Sequence, residues 1–181
     1  MQALNIKKMN QNINLFITII IFTYIIIMSQ TIETINELNN CIDCDFFTFN
    51  GEIHLAKVVK CYDGDTIHCI FKYNGEYKKF IVRMYGYDSW EIKPSKQIPE
   101  PDRTNLKIKA NNAKKRLEDL ILNKNIYLYC KEFDKYGRLL ANIKINIKDK
   151  KTINDIMVEE GHGYLYYGGA KKKTDVQSLE E

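Results

Sequence analysis

Apolar and polar positions alternate along much of the chain from about residue 52 onward. Alternation predicts strands, because a strand places successive side chains on opposite faces of a sheet. We expect three successive strands at residues 54–59, 66–73 and 76–85. Asn74-Gly75, between the second and third, is a strong hairpin signal, so these strands should form a meander.

The second half of this region combines helical and strand patterns. Apolar residues recur at helical spacing over residues 103–122, which predicts an amphipathic helix. Two further strands are predicted at 125–132 and 139–147, and Thr152-Ile-Asn-Asp155 resembles a capping box that begins a short helix. Strands in this order do not fit a parallel α/β sheet. They fit an α+β fold, mainly a small closed barrel of the OB type with a helix packed over it.

Between these halves, residues 87–102 contain three prolines and several polar side chains. This composition predicts a long exposed loop. Loops of this length are often functional.

The N-terminus has a different pattern, a 14-residue apolar run at 15–28 that follows Lys7 and Lys8. As a helix it would extend about 21 Å, short of the roughly 30 Å hydrocarbon core of a bilayer. The run fits a signal peptide, although no A-x-A-like cleavage site follows it, or a short membrane anchor. Translation from Met28 is the third reading and would give a soluble intracellular protein. We favour secretion or anchoring because of the two lysines.

The chain therefore has four predicted parts. Residues 1–30 are the hydrophobic leader, 31–50 a polar linker, 51–172 the folded domain and 173–181 a tail. With 45% hydrophobic residues, the chain is too apolar to be disordered, and its pattern excludes collagen-like, coiled-coil and multi-pass membrane classes. Residues 51–170 carry a net charge of +6, which suits a polyanionic partner without proving one.

Two polar clusters interrupt the predicted strands. The first begins at Asp63-Gly-Asp-Thr66 and continues with Arg83 and the segment Asp88-Ser-Trp-Glu91; the second is Asp134-Lys-Tyr-Gly-Arg138. Taken singly, both clusters are also good turn sequences. Carboxylates close to strand ends are, however, typical ligands of a hard cation. Arginine is scarce here, four residues beside 23 lysines, so each arginine is a candidate for bidentate binding.

In this order and spacing, the two clusters resemble the staphylococcal nuclease (thermonuclease-like) family of calcium-dependent nucleases. The resemblance covers roughly residues 55–172 and implies a five-stranded OB-fold barrel with about three α-helices. It also implies one bound Ca2+ ion, held by the side chains of Asp65 and Asp88 and the main-chain carbonyl of Ser89. Asp63 matches a further acid beside the metal pocket.

By the same resemblance, Arg83 and Arg138 grip the scissile phosphate and Glu91 is the general base. These three residues form the implied catalytic group. Lys135, Tyr136 and Tyr167 match positions that contact the nucleotide. One departure is Trp90, which stands where the family commonly has proline, and we expect it to stack on substrate or to plug the loop.

The main hypothesis is therefore a monomeric calcium-dependent endonuclease of DNA and RNA that leaves 3′-phosphate ends. The alternative is a catalytically weak OB-fold module that binds nucleic acid. Such a module should have lost at least one member of the catalytic and metal-binding set, and none is missing. A membrane-tethered structural protein would explain the leader but none of these residues.

Overall fold

A computed structural model describes residues 2–168 of the chain. The chain divides into two compact units, Met1–Phe47 and Thr48–Glu181. The predicted tail at 173–181 and the last four residues of the predicted domain lie outside the described residues.

The first unit is built on a single helix, α1 (Gln2–Asn40). Its 39 residues extend about 58 Å. The apolar run at 15–28 is only the middle of α1, because no glycine or proline interrupts the polar residues that follow. The helix therefore continues into the stretch assigned to a polar linker. By length and composition, Asn12–Asn40 can cross a membrane, a property that signal sequences share.

The second unit contains seven strands and two α-helices within the described residues. In chain order they are β1 (Ile53–Cys61), β2 (Thr66–Tyr73), β3 (Glu76–Met84), β4 (Tyr87–Ser89), α2 (Asp102–Ile121), β5 (Asn125–Phe133), β6 (Leu139–Lys144), α3 (Ile153–Glu159) and β7 (Gly163–Leu165).

Five of these strands close into a barrel with the order β1-β2-β3-β6-β5. The first three form the predicted antiparallel meander. Strand β3 pairs with β6 in parallel, and β5 pairs antiparallel with both β6 and β1, which closes the barrel. The α+β fold with an OB-type barrel is thus confirmed, and the barrel is accompanied by three helices, of which α1 belongs to the first unit.

Both helices of the second unit are held by contacts that their sequences predict. Helix α2 buries its apolar stripe, Ala110, Ala113, Leu117 and Ile121. At the start of α3, Thr152 and Asp155 form both halves of a capping box. The side chain of Asn154 then ties α3 to the barrel: its Oδ1 accepts from the Ile143 amide at 3.1 Å, and its Nδ2 donates to the Tyr85 carbonyl at 2.8 Å.

One element departs from the sequence prediction. Tyr87–Ser89, expected to begin an exposed loop, is β4, and all three residues are buried. Strand β4 pairs with β7 in a separate two-stranded sheet. Three residues are too few to show an alternating pattern, and the partner strand lies far along the chain. A Cβ on Gly163 would come within 2.3 Å of the Asp88 carbonyl oxygen, so only glycine permits this close pairing.

The core also begins earlier than expected. Phe49 is fully buried and packs edge-on against Phe71, with ring centroids 5.6 Å apart. The folded unit accordingly starts at Thr48, a few residues before the predicted boundary at 51.

Candidate active site

A cavity of about 910 Å³ lies where the β1–β2 turn, the end of β3, β4, the β5–β6 turn and the segment after β7 meet. The side chains singled out from the sequence all line it. They are Asp63, Asp65, Arg83, Asp88, Ser89, Glu91, Lys135, Tyr136, Arg138 and Tyr167.

The β1–β2 turn is shaped by Asp63. Its Oδ1 accepts hydrogen bonds from the amides of Asp65 and Thr66, at 3.1 and 2.7 Å. Burial, followed by the charge of Asp65, raises the pKa of Asp63 to about 6. Asp63 therefore has the turn-forming role that its sequence context suggests, and it orients the backbone that carries Asp65.

Asp65 is buried, with 4% of its surface exposed. Its Oδ1 accepts from the Thr66 hydroxyl at 2.8 Å, and its Oδ2 accepts from the amide and hydroxyl of Ser89 at 2.8 and 3.0 Å. Oδ1 also accepts from Arg83. These four donors come from β2, β3 and β4, so the carboxylate connects three strands and is rigidly oriented.

Asp88 is the second buried carboxylate of the cavity, with 3% exposure. Its Oδ2 accepts from the Tyr164 hydroxyl at 2.7 Å, and its Oδ1 accepts from Arg83. Tyr164 lies directly opposite Asp88 in the β4–β7 pair. Sequence reasoning missed Tyr164 as a site residue, since this contact depends on the short strands that the pattern did not reveal.

Arg83 bridges the two carboxylates. One terminal nitrogen of its guanidinium donates to Asp65 and the other to Asp88. Burial lowers the pKa of Arg83, but the charges of Asp65 and Asp88 outweigh this effect and raise it above its ordinary value. Arg83 thus stays charged and neutralises part of the acidic pair.

The opposite side of the cavity is formed by the turn Asp134–Arg138. Asp134 Oδ1 accepts from the amides of Tyr136 and Arg138, both at 2.9 Å, and its Oδ2 accepts from Arg138 Nε at 2.7 Å. Burial raises the pKa of Asp134, but these hydrogen bonds more than reverse the effect and leave it lowered. Within the described residues, no hydrogen bond engages the two terminal nitrogens of Arg138, so they are available to a ligand.

The remaining predicted side chains lie at the cavity rim. Glu91 is exposed, as are Tyr136 and Tyr167, at 70% and 69%. The Tyr136 ring lies 5.1 Å from the ammonium nitrogen of Lys135. Tyr167 packs so closely on the backbone that a Cβ at Gly86, which has a φ of +72°, would come within 2.8 Å of its ring. The guanidinium carbon of Arg138 lies 5.3 Å from the Tyr136 ring as well. Most of the surface of both tyrosines is nevertheless exposed and accessible to a ligand.

Trp90 packs into the cavity wall. It is 7% exposed, its ring lies 5.7 Å from that of Tyr164, and the Lys109 ammonium sits 5.1 Å above it. Its Nε1 is buried and has no acceptor within the described residues. Of the two expected roles, this packing favours a plug at the start of the loop.

The donor set can be compared with the needs of a metal ion. In the part of the chain that the structure describes, no three His, Cys, Asp or Glu side chains form a metal-binding group. The chain offers two buried carboxylates, Asp65 and Asp88, together with nearby main-chain oxygens such as that of Ser89. These are the hard oxygen ligands that calcium prefers. They fit the ion if the hydrogen bonds from the Arg83 guanidinium to the two carboxylates are broken.

Comparison with known proteins gives consistent matches. Residues 81–181 match the family described as staphylococcal nuclease homologue. The chain is 33% identical over 115 residues to an uncharacterised endonuclease of Haemophilus influenzae, covering 64% of this chain and 54% of the relative. It is 31% identical over 140 residues to a micrococcal nuclease of Shigella flexneri, covering 73% of this chain and 66% of the relative.

A third relative is an uncharacterised protein of Methanocaldococcus jannaschii, 29% identical over 148 residues, with 74% of this chain and 70% of the relative covered. Of the Haemophilus influenzae relative described above, the chain spans only about half the length. The family match nevertheless takes in more than half of this chain, including Arg83, Asp88, Glu91 and Arg138. On these matches and its barrel fold, the chain belongs to the staphylococcal nuclease homologue family.

Proposed function

We propose that this chain is a calcium-dependent endonuclease that hydrolyses phosphodiester bonds of DNA and RNA and leaves 3′-phosphate ends. The observation that supports it most is the meeting of two arginines, two buried carboxylates and an exposed glutamate around one cavity. Each has a physical task in cleaving an anionic diester.

The metal-binding task falls to Asp65, Asp88 and the main-chain carbonyl of Ser89. Calcium bound there would supply positive charge to a non-bridging phosphate oxygen. Tyr164 and the Ser89 amide and hydroxyl hold the carboxylates in place through hydrogen bonds that do not involve Arg83. The carboxylates therefore keep their orientation when the guanidinium leaves them.

The two arginines approach the phosphate from opposite sides of the cavity. Arg83, released from the carboxylates, and Arg138, oriented through its Nε by Asp134, would each donate paired hydrogen bonds to phosphate oxygens. These bonds strengthen as negative charge develops in the transition state, which is why they accelerate cleavage. A lysine would supply charge without the planar fork.

Glu91 is the proposed general base. Its exposed carboxylate would accept a proton from the water that attacks phosphorus, while the bond from phosphorus to the 5′ oxygen breaks and that oxygen takes up a proton. The phosphate then stays on the 3′ side of the cut. The exposed rings of Tyr136 and Tyr167, with Lys135, would hold the neighbouring nucleotides by stacking and charge.

The N-terminal helix bears on where in or outside the cell the protein acts. We propose that α1 exports the second unit or anchors it to a membrane. The full chain should then sediment with membranes or be processed, whereas a variant without residues 1–27 should be soluble and equally active. Activity confined to the full chain would contradict this view.

Calcium-titrated cleavage of labelled single- and double-stranded DNA, with a chelator control, tests the proposed activity. We expect shortening of both substrates that requires calcium, and end-group analysis should find 3′-phosphates. A chain that retards DNA in a gel without shortening it would instead be the binding module.

A further inference from the structure

The outer face of the β1–β2–β3 meander carries an unusual set of side chains. Alternation along the strands places the core residues Ile67, Cys69 and Phe71 inside the barrel and the intervening positions outside. The outward positions of the three strands contain lysines, exposed aromatic residues and the aliphatic residues Leu55, Ile70 and Ile81, and no acid. We call this surface the basic face; it comprises Lys57, Lys60, Tyr62, His68, Lys72, Tyr77 and Lys79.

The strand register shows that the basic face continues directly from the active site. Arg83 lies opposite Thr66. One row further along, His68 lies opposite Lys60, and in the next row Ile70 lies opposite both Lys57 and Lys79. Since two residues of a strand rise about 6.6 Å, these rows lie roughly 7 and 13 Å from the Arg83 row.

The charges of the lysines on this face are not balanced by ion pairs with residues that the structure describes. Within residues 2–168, none of Lys57, Lys60, Lys72 and Lys79 forms an ion pair, whereas Lys78, at the alternate position of β3, pairs with Glu76. Burial lowers the pKa of His68, and the positive charges of Lys60 and Lys79 lower it further. The face is therefore an uncompensated positive surface.

Exposed rings accompany these charges. Tyr62 is 56% exposed, lies parallel to His68 with centroids 6.4 Å apart, and has the Lys60 ammonium 5.7 Å from its ring. Tyr77, in the row farthest from Arg83, is 76% exposed. Positive charge interleaved with open aromatic rings suits a single-stranded nucleic acid, whose unpaired bases can stack while its phosphates meet lysines.

We propose that the basic face is a second binding site for the substrate strand, which continues across it from the scissile phosphate at Arg83. This inference rests on the proposed nuclease function and deepens it: the enzyme holds several nucleotides of single-stranded DNA or RNA on one side of the cut. Long substrates gain affinity there that a dinucleotide cannot gain.

The test uses the full chain in a neutral detergent, with Lys57→Gln, Lys60→Gln and Lys79→Gln combined. The matched control combines Lys107→Gln, Lys148→Gln and Lys150→Gln, which removes the same charge from exposed lysines elsewhere. Binding of a labelled twenty-nucleotide oligothymidylate is measured in chelator against salt concentration, so that no cleavage occurs.

We expect the face variant to bind the long strand about 10- to 100-fold more weakly than the control and to lose about two units of salt slope, at roughly 0.7 per phosphate contact. Binding of a thymidine dinucleotide should be equal in both. Equal affinity for the long strand, or an equal salt slope, would overturn the proposal.

Two further measurements separate the alternatives. Phosphatidylserine added to the same detergent micelles should not compete with the oligonucleotide; competition that disappears in the face variant would assign the surface to lipid and refute the proposal. Cleavage with calcium is measured alongside. Loss of long-strand binding without any cleavage by the parent chain would refute the nuclease function while leaving a nucleic-acid site on this face.

Discussion

The two sides of the cavity are built in different ways. The strand-built wall consists of Asp65, Arg83 and Asp88, which reach one another from the β1–β2 turn just before β2, from β3 and from β4. The turn-built wall is the five-residue segment Asp134–Arg138, which is held by hydrogen bonds within itself. Both walls present an arginine, but the strand-built wall buries its two carboxylates more deeply than the turn-built wall buries Asp134.

The two walls therefore differ in the hydrogen bonds that fix their geometry. Moving any member of the strand-built wall disturbs hydrogen bonds to several strands, so its geometry is secured jointly by the barrel and by the β4–β7 sheet. The turn-built wall depends on one carboxylate, Asp134, whose bonds lie within four residues. We therefore expect the strand-built wall to control the metal and the turn-built wall to control only the phosphate.

The largest effect should follow removal of a carboxylate from the strand-built wall. Asp65→Ala or Asp88→Ala should weaken calcium binding by more than about 100-fold, because even partners that only orient metal ligands are worth 10- to 100-fold. Calorimetry of calcium binding with a nucleotide present would measure this. Parent-like affinity in both variants would disprove the metal assignment.

Glu91→Gln should slow cleavage by about 10²- to 10⁴-fold, since the amide keeps the shape of the side chain but cannot accept a proton. Calcium affinity should hardly change, because Glu91 belongs to neither wall. Single-turnover cleavage beside calorimetry separates the two quantities. Full activity in this variant would remove Glu91 from the mechanism.

The two arginines allow a direct comparison of the walls. Arg83→Lys and Arg138→Lys should each lower kcat by about 10²- to 10³-fold with a smaller change in KM, because charge survives and the fork does not. Only Arg83→Lys should also bind calcium more tightly. The lysine ammonium lacks the second donor of the guanidinium, so it should compete less well with calcium for Asp65 and Asp88. Arg116→Lys is the control: Arg116 pairs with Glu160 outside the cavity. A similar loss of turnover in the control would count against both assignments.

The smallest effects should come from side chains that only position others. Asp134→Asn should lower kcat by about 10-fold, because Arg138 loses its orienting carboxylate, and should leave calcium affinity intact. Tyr164→Phe should do the reverse, weakening calcium binding a few-fold and costing about 1 kcal/mol of stability, since its bond to Asp88 is lost. Thermal unfolding, calcium titration and kcat on both variants would show whether the walls are separable.

Features that depend on near neighbours could be predicted from the sequence. The hairpin at Asn74-Gly75, the capping box at Thr152 and the stripe of α2 all lie where their patterns indicated. The Asp134 turn belongs to the same class, because its partners are at most four residues away. The candidate site residues were named from the motifs and the resemblance that these carry, and the structure places them around one cavity.

Contacts between distant segments could not be predicted in this way. The pairing of β4 with β7 joins Asp88 to Tyr164, and the bridge from Arg83 to two carboxylates requires the register of β2 and β3. A short strand leaves no periodic signal, and a hydrogen bond across 76 positions depends on the pairing of two such strands from distant parts of the chain. The residue types and local turns were thus determined by the sequence alone. Tertiary packing decided which charges are buried, which tyrosine bonds to Asp88 and where the basic face adjoins the cavity. The physical reason is that only the closed barrel and the β4–β7 sheet bring these distant segments together.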